Sequence, residues 1–308
     1  MRPISHNGTL AGVGELDDIV RRLEPSLGPL QGEPIPLDGG ITNRNFRATL
    51  GGAEYMIRRH GRDTNLLGID REAERIASEE AARLEIAPTV VAALQDGLVS
   101  EFIDCGAVDP DELRERAGEV ARRLRRFHDS SVRLPVRFWI PDLLRDYATV
   151  VRERAGELPP AWEEAVHASD RIATVLPLGR PQPCHNDLLP GNIIRARDDG
   201  RIMIVDWEYA GMGHPYFDLG NLSVNNDFDE ATDERLLSAY HGGPPSEAQR
   251  AALKLMRVLS DVREAAWGVV QGGISALDFD FDGYARAHFE RLLATVGRRE
   301  FEEWLATA

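Results

Sequence analysis

Pro183–Gly211 reads PCHNDLLPGNIIRARDDGRIMIVDWEYAG, a run of turn, strand, turn and strand with polar residues set at the turns. His185, Asp187 and Asn192 fit the pattern H-x-D-x-x-x-x-N, and Asp206 stands at the end of an apolar strand, Ile202 to Val205. Phosphoryl transfer needs a carboxylate to accept the proton of an attacking hydroxyl, and oxygen ligands to hold Mg²⁺ between phosphates. Asp187 has the chemistry for the first task; Asn192 and Asp206 have it for the second. Two short antiparallel strands joined by a turn bring Asp206 back toward Asn192, so the three are expected to converge. Taken singly, HND and PGN are turn formers and Asp206 is an N-cap or a surface carboxylate. As an ordered set in a strand context they favour the phosphoryl chemistry.

Composition narrows the field. A chain of 308 residues buries roughly three quarters of its unfolded surface, as one large domain or two lobes. Its net charge of −15 argues against nucleic acid as a partner, because phosphate binding needs a basic face. No apolar run approaches the roughly 20 residues that cross a bilayer. The start, MRPISHNGTLAGVGELDD, lacks the basic and apolar blocks of a secretory signal, so a cytoplasmic location is expected. Cys105 and Cys184 form neither a disulfide framework nor a C-x-x-C pair. Of the 36 basic residues only Lys254 is a lysine, and no glycine loop precedes it, which excludes a Walker A motif. His6, His60, His167, His214, His241 and His288 show no zinc spacing, and His128 ends a basic amphipathic helix.

Residues 34–103 follow a β-β-β-α-β-β order: PIPLDGG, RNFRATL, AEYMIRR, the helical IDREAERIASEEAARLEIAP, TVVAAL and GLVSEFI. After Cys105 long helical patterns dominate, and strands return only in NIIRAR and RIMIVDW. This predicts an α+β chain with a small antiparallel-sheet N-terminal lobe, 1–103, and a larger helical lobe, 104–308. No signal for an oligomeric state is present.

HNDLLPGN followed by IVDWEYAG resembles the kinase-like small-molecule phosphotransferases, the aminoglycoside phosphotransferase and choline/ethanolamine kinase group, and nearly the whole chain can be placed on that resemblance. It implies a protein-kinase-like bilobal fold and ATP as donor. His185 and Asp187 would then belong to the catalytic loop, with Asp187 the base, and Asn192 and Asp206 would be the Mg²⁺ ligands. In LDGGITNRNF, Thr42, Asn43 and Asn45 flank a Gly-Gly turn, a place where backbone N–H groups and small side chains can cap phosphates, although such a turn is also an ordinary hairpin. Arg58 falls where the group places a cation on the α and β phosphates, and its planar fork suits that contact. Glu74 matches the helix glutamate that pairs with this cation; it also reads as one acid among several on a wet helix face. EFIDCG reads as the connection between lobes, whose backbone at Glu101 and Ile103 would meet the adenine edge.

GGITNRNF, DWEYAG, PYFDLGN and REAAWGVVQ together look closer to choline/ethanolamine kinases than to aminoglycoside enzymes. Trp267 and Tyr284 could face an ammonium group, or fill a core; Glu208 would add a carboxylate. Asp218 matches an acid that braces the catalytic loop. Two positions depart from choline kinases: Asn225 replaces a glutamate, and Val270 replaces a second tryptophan. The acids Asp278, Asp280 and Asp282 either compensate or start a helix. The expected activity is ATP- and Mg²⁺-dependent phosphorylation of a small amino alcohol, choline or ethanolamine. The alternatives are an aminoglycoside or sugar acceptor, and a catalytically idle nucleotide-binding protein.

Overall fold

Phe46, Ala48 and Leu50 alternate with more exposed neighbours, and this period of two lays one face of a strand against a helix. The computed structural model describes residues 16–37, 43–275 and 277–308. They begin with α1 (Asp17–Leu27), β1 (Leu30–Leu37), β2 (Arg44–Leu50) and β3 (Ala53–Arg59). Next come α2 (Arg71–Arg83), β4 (Val90–Leu94) and β5 (Gly97–Glu101). The five strands form one antiparallel sheet in the order β1-β2-β3-β5-β4. Ile19 and Leu23 of α1 pack on Phe46, Ile57 and Val99 of this sheet, each large side chain contributing about 1.5 to 3 kcal/mol of burial.

The chain continues through β6 (Cys105–Ala107), α3 (Pro110–Glu115), α4 (Ala117–His128), α5 (Ile140–Val150) and α6 (Ala161–Val175). Four short strands follow: β7 (Gln182–Cys184), β8 (Ile193–Ala196), β9 (Ile202–Ile204) and β10 (Gly211–Gly213). Helices α7 (Pro215–Asn225), α8 (Glu230–His241), α9 (Glu247–Ile274), α10 (Phe281–Val296) and α11 (Arg299–Thr307) complete it. β6, β8 and β9 make a three-stranded sheet, and β7 pairs with β10. Strands β6, β7 and β10 were not expected: three residues are too few to carry an alternating pattern. The mixed α+β, kinase-like architecture is as expected.

Two compact units emerge, one of residues to Arg62 with Pro88–Asp104, the other of Asp63–Ala87 with Cys105–Ala308. This differs from a division at 103 in one segment. Residues 63–87 group with the second unit because Ala77, Ala81 and Ile86 lie in its core, and the Ile86 carbonyl accepts the Ile204 N–H at 2.9 Å. Within that unit α7 and α9 cross closely at Gly220. A Cβ there would lie 2.5 Å from the Met256 carbonyl carbon, so only glycine fits without displacing backbone.

Candidate active site

The loop after β7 owes its shape to α7. Asp218, fully buried, accepts the His185 N–H at 2.8 Å on one oxygen and the Asn186 N–H at 2.7 Å on the other. His128 adds its Nε2–H at 2.9 Å. Burial alone would raise the Asp218 pKa, but these partners hold it below the usual carboxylate range. One turn further along α7, Asn221 takes the Leu188 N–H, and Asn226 donates to the Leu188 carbonyl at 3.0 Å. Asn186 sits at φ 68°, in the left-handed region that asparagine tolerates, and donates to the Tyr209 carbonyl at 3.0 Å. The loop is thus pinned at successive residues, and Asp218 has the bracing place its sequence context implied.

His185 is completely buried against Trp207, ring centroids 4.6 Å apart. Its Nδ1 accepts the Asp187 N–H at 3.1 Å, so Nε2 carries the proton and donates to the Val205 carbonyl at 3.0 Å. Both ring nitrogens thus meet backbone groups of the loop and of the strand end.

Asp187 is 7% exposed. Asn192 Nδ2 donates to its carbonyl at 2.8 Å and to Oδ2 at 3.1 Å. On the inner side Arg263 Nη1 lies 3.1 Å from Oδ1. Burial pushes the carboxyl well above the usual range; Arg263 pulls it down, while Glu264 and Asp206 push it up. Asp206 follows β9 in a left-handed turn at φ 66°, and the Val205 N–H donates to the Asn192 carbonyl at 2.9 Å. The structure therefore brings Asp187, Asn192 and Asp206 to one place. With Asn192 Nδ2 spent on Asp187, the amide oxygen and the Asp206 carboxylate form an all-oxygen donor pair, the hard ligands that Mg²⁺ takes.

The 3₁₀ turn after Asp206 buries Glu208 beneath α2, where Arg71 Nη1 lies 3.2 Å from Glu208 Oε2 and 2.7 Å from Glu74 Oε2. It is 4% exposed, and Arg71 is one of its partners.

Trp267 and Tyr284 do come together, with ring centroids 5.6 Å apart, and Phe281 lies 5.8 Å from Trp267. Trp267 Nε1–H donates to the Tyr209 hydroxyl at 2.8 Å, and the Tyr284 hydroxyl donates to Glu264 Oε2 at 2.7 Å. The Arg263 guanidinium lies over the Tyr209 ring at 4.3 Å. Val270 is wholly buried in the core. Asp280 caps α10, accepting the Gly283 N–H at 2.8 Å, so the acids of LDFDFD start a helix.

In the N-terminal unit, Asn45 stands opposite Arg58 in the β2–β3 register, so the two side chains share a face of the sheet. Arg58 is buried, and Asn43 Oδ1 accepts the Gly61 N–H at 3.2 Å. Thr42 lies outside the described residues. The Glu101 N–H is spent on the Thr89 carbonyl at 2.9 Å. Ile103 is half-buried just beyond β5.

Sequence reasoning missed Arg263, Glu264 and Tyr209. The usable signal was two adjacent charges, Arg263 and Glu264, inside the apolar middle of a helix and one turn before Trp267.

The model of the phosphotransferase enzyme family matches residues 33–254. The crystal structure of a choline/ethanolamine kinase family protein from Mesorhizobium loti superposes with a TM-score of 0.79 at 30% identity, covering 94% of this chain and 98% of that one. Ethanolamine kinase 2 of Homo sapiens is 27% identical over 308 residues, 89% of this chain and 78% of its own. Probable choline kinase 2 of Arabidopsis thaliana is 23% identical over 300 residues, 86% and 85% of the two chains.

Proposed function

From the chain's membership of the phosphotransferase enzyme family, as a small-molecule kinase of its choline/ethanolamine kinase branch, we propose that it transfers the γ-phosphoryl group of ATP to the hydroxyl of a small amino alcohol. Choline and ethanolamine are the leading acceptors. The observation that carries this reading is the aromatic wall of Tyr209, Trp267 and Tyr284, linked through Arg263 to Asp187. An ammonium group is attracted to such ring faces by about 0.5 to 2 kcal/mol.

In this reading Asp187 accepts the proton of the acceptor hydroxyl, and the backbone clamp from Asp218 sets where its carboxylate lies. Asn192 and Asp206 would hold Mg²⁺, whose bound charge offsets that of the phosphates. Arg58, with Asn43, Asn45 and Thr42, would meet the phosphates. Glu101 and Ile103 are assigned to the adenine edge. His185 keeps the loop in register. An ATP-consuming enzyme of this kind belongs in the cytoplasm; no helix among the described residues is long and apolar enough to cross a membrane.

The test is ATP consumption with amino alcohols, aminoglycosides and sugars, run beside Asp187→Asn. The substitution is expected to leave ATP binding intact and to lower turnover by roughly 10²- to 10⁴-fold, the usual cost of a lost general base. Turnover within threefold of wild type would remove Asp187 from the chemistry.

A further inference from the structure

α9 carries three buried charges in its middle: Asp261, 3% exposed and paired with Arg291, and the adjacent Arg263 and Glu264, 2% and 1% exposed. Taking such a pair out of water is costly, and hydrophobic replacements of buried pairs are often neutral or stabilising, so stability alone gives no reason for this one. Its geometry supplies a reason. Arg263 Nη1 lies 2.9 Å from each Glu264 oxygen and 3.1 Å from Asp187 Oδ1. Asp187 Oδ1 is closed off from solvent and accepts no hydrogen bond, so Arg263 meets it through charge alone, while Oδ2 takes the Asn192 amide at 3.1 Å. The two oxygens of the carboxylate are therefore divided between an inner cation and an outer amide. Glu264 also receives the Tyr284 hydroxyl, and Arg263 lies on the Tyr209 ring, whose hydroxyl takes the Trp267 N–H.

We propose that Arg263, held by Glu264, is a positioning residue that fixes the rotation of the Asp187 carboxylate and couples it to the aromatic acceptor wall. The inference rests on the reading of Asp187 as the base. Too buried to meet a substrate, Arg263 acts only through Asp187 and Tyr209. Glu264 cancels part of its charge and takes the Nη1 hydrogen bonds, which holds the guanidinium beside Oδ1 as an ion contact.

The test uses the double variant Arg263→Met with Glu264→Leu, which removes the cation and its counter-charge together and leaves Asp187 to the Asn192 amide, and Arg263→Lys, which keeps the charge but loses the planar fork. With Mg²⁺, ATP and ethanolamine, the double variant is expected to lose roughly 10- to 100-fold in kcat with the KM for ATP unchanged, as for a misplaced group. Arg263→Lys should recover part of that loss. In the Asp187→Asn background the double substitution should add nothing further, because its effect passes through the carboxylate. A crystal structure of the double variant should show the Asp187 carboxyl turned from its wild-type rotamer, a readout that needs no turnover. Where the double variant fails to fold, Arg263→Lys carries the same tests. An unmoved Asp187, kcat within threefold of wild type, or a full multiplicative loss on top of Asp187→Asn would overturn the inference. Wild-type turnover by Asp187→Asn itself would instead sink the underlying reading of the base.

Discussion

Asp218 accepts the Asn186 N–H at 2.7 Å, one residue before the carboxylate assigned the proton transfer. A fully buried acid on α7 thus sets the backbone that carries Asp187. Replacing it by asparagine puts an NH₂ group against one of the two backbone donors. Asp218→Asn is expected to lower kcat by at least tenfold and to cost about 3 kcal/mol, the scale of lost hydrogen bonds to a charged group. Thermal unfolding and steady-state kinetics check both; a variant unchanged in kcat would show that the brace does not govern the loop.

Asp206→Asn removes one anionic oxygen from the pair assigned to Mg²⁺. The Mg²⁺ concentration giving half-maximal activity should rise at least tenfold, because a neutral amide is a far weaker ligand for a hard cation. Titrating Mg²⁺ against activity measures it. An unchanged midpoint and maximum would make Asp206 structural.

His214 gives the fold an acid-sensitive point. Its Nδ1 caps α7 by accepting the Tyr216 N–H at 3.2 Å, which requires the neutral ring. Burial, with the nearby His128, lowers its pKa from 6.5 to about 4. The folded pKa lies below the unfolded one, so this contribution is fully present above about pH 6.5 and is lost as pH falls toward 4, by about 3 kcal/mol at most. His214→Asn keeps a capping acceptor that does not titrate. Its melting temperature should fall less than that of wild type between pH 7 and pH 5; parallel curves would contradict the assignment.

Trp267→Phe keeps apolar bulk in the aromatic wall while removing the N–H bonded to Tyr209 and the strongest cation-binding ring. The acceptor KM is expected to rise about fivefold with the KM for ATP unchanged. Equal changes in both would place Trp267 in the core alone.

How far the sequence could be read depended on whether each signal was local. Asp187, Asn192 and Asp206 were legible because a turn and a short hairpin fix their spacing, and Asp218 only through the resemblance of PYFDLGN to the group's pattern, since its partners His185 and Asn186 lie about thirty residues away. The Arg71 contact of Glu208 was not legible, because adjacency to Asp206 says nothing about direction and the two partners lie far apart in sequence. Arg263 and Glu264 escaped notice because the middle of α9 is buried nearly all round, so its periodicity marks no special face. The three-residue strands β6, β7 and β10 were too short to announce themselves, whereas β9 was carried by its continuous apolar run.

Paired steady-state kinetics with ethanolamine, choline and an aminoglycoside test most directly whether Asp187 and the aromatic wall serve an amino alcohol. Ethanolamine, or a partly methylated amine, should give a kcat/KM at least equal to that of choline, because Asn225 stands where a glutamate would suit a quaternary ammonium and Val270 offers the site no second tryptophan. Both should exceed the aminoglycoside by at least tenfold. A kcat/KM for the aminoglycoside well above both would contradict the amino-alcohol assignment and leave the fold and the phosphoryl chemistry standing.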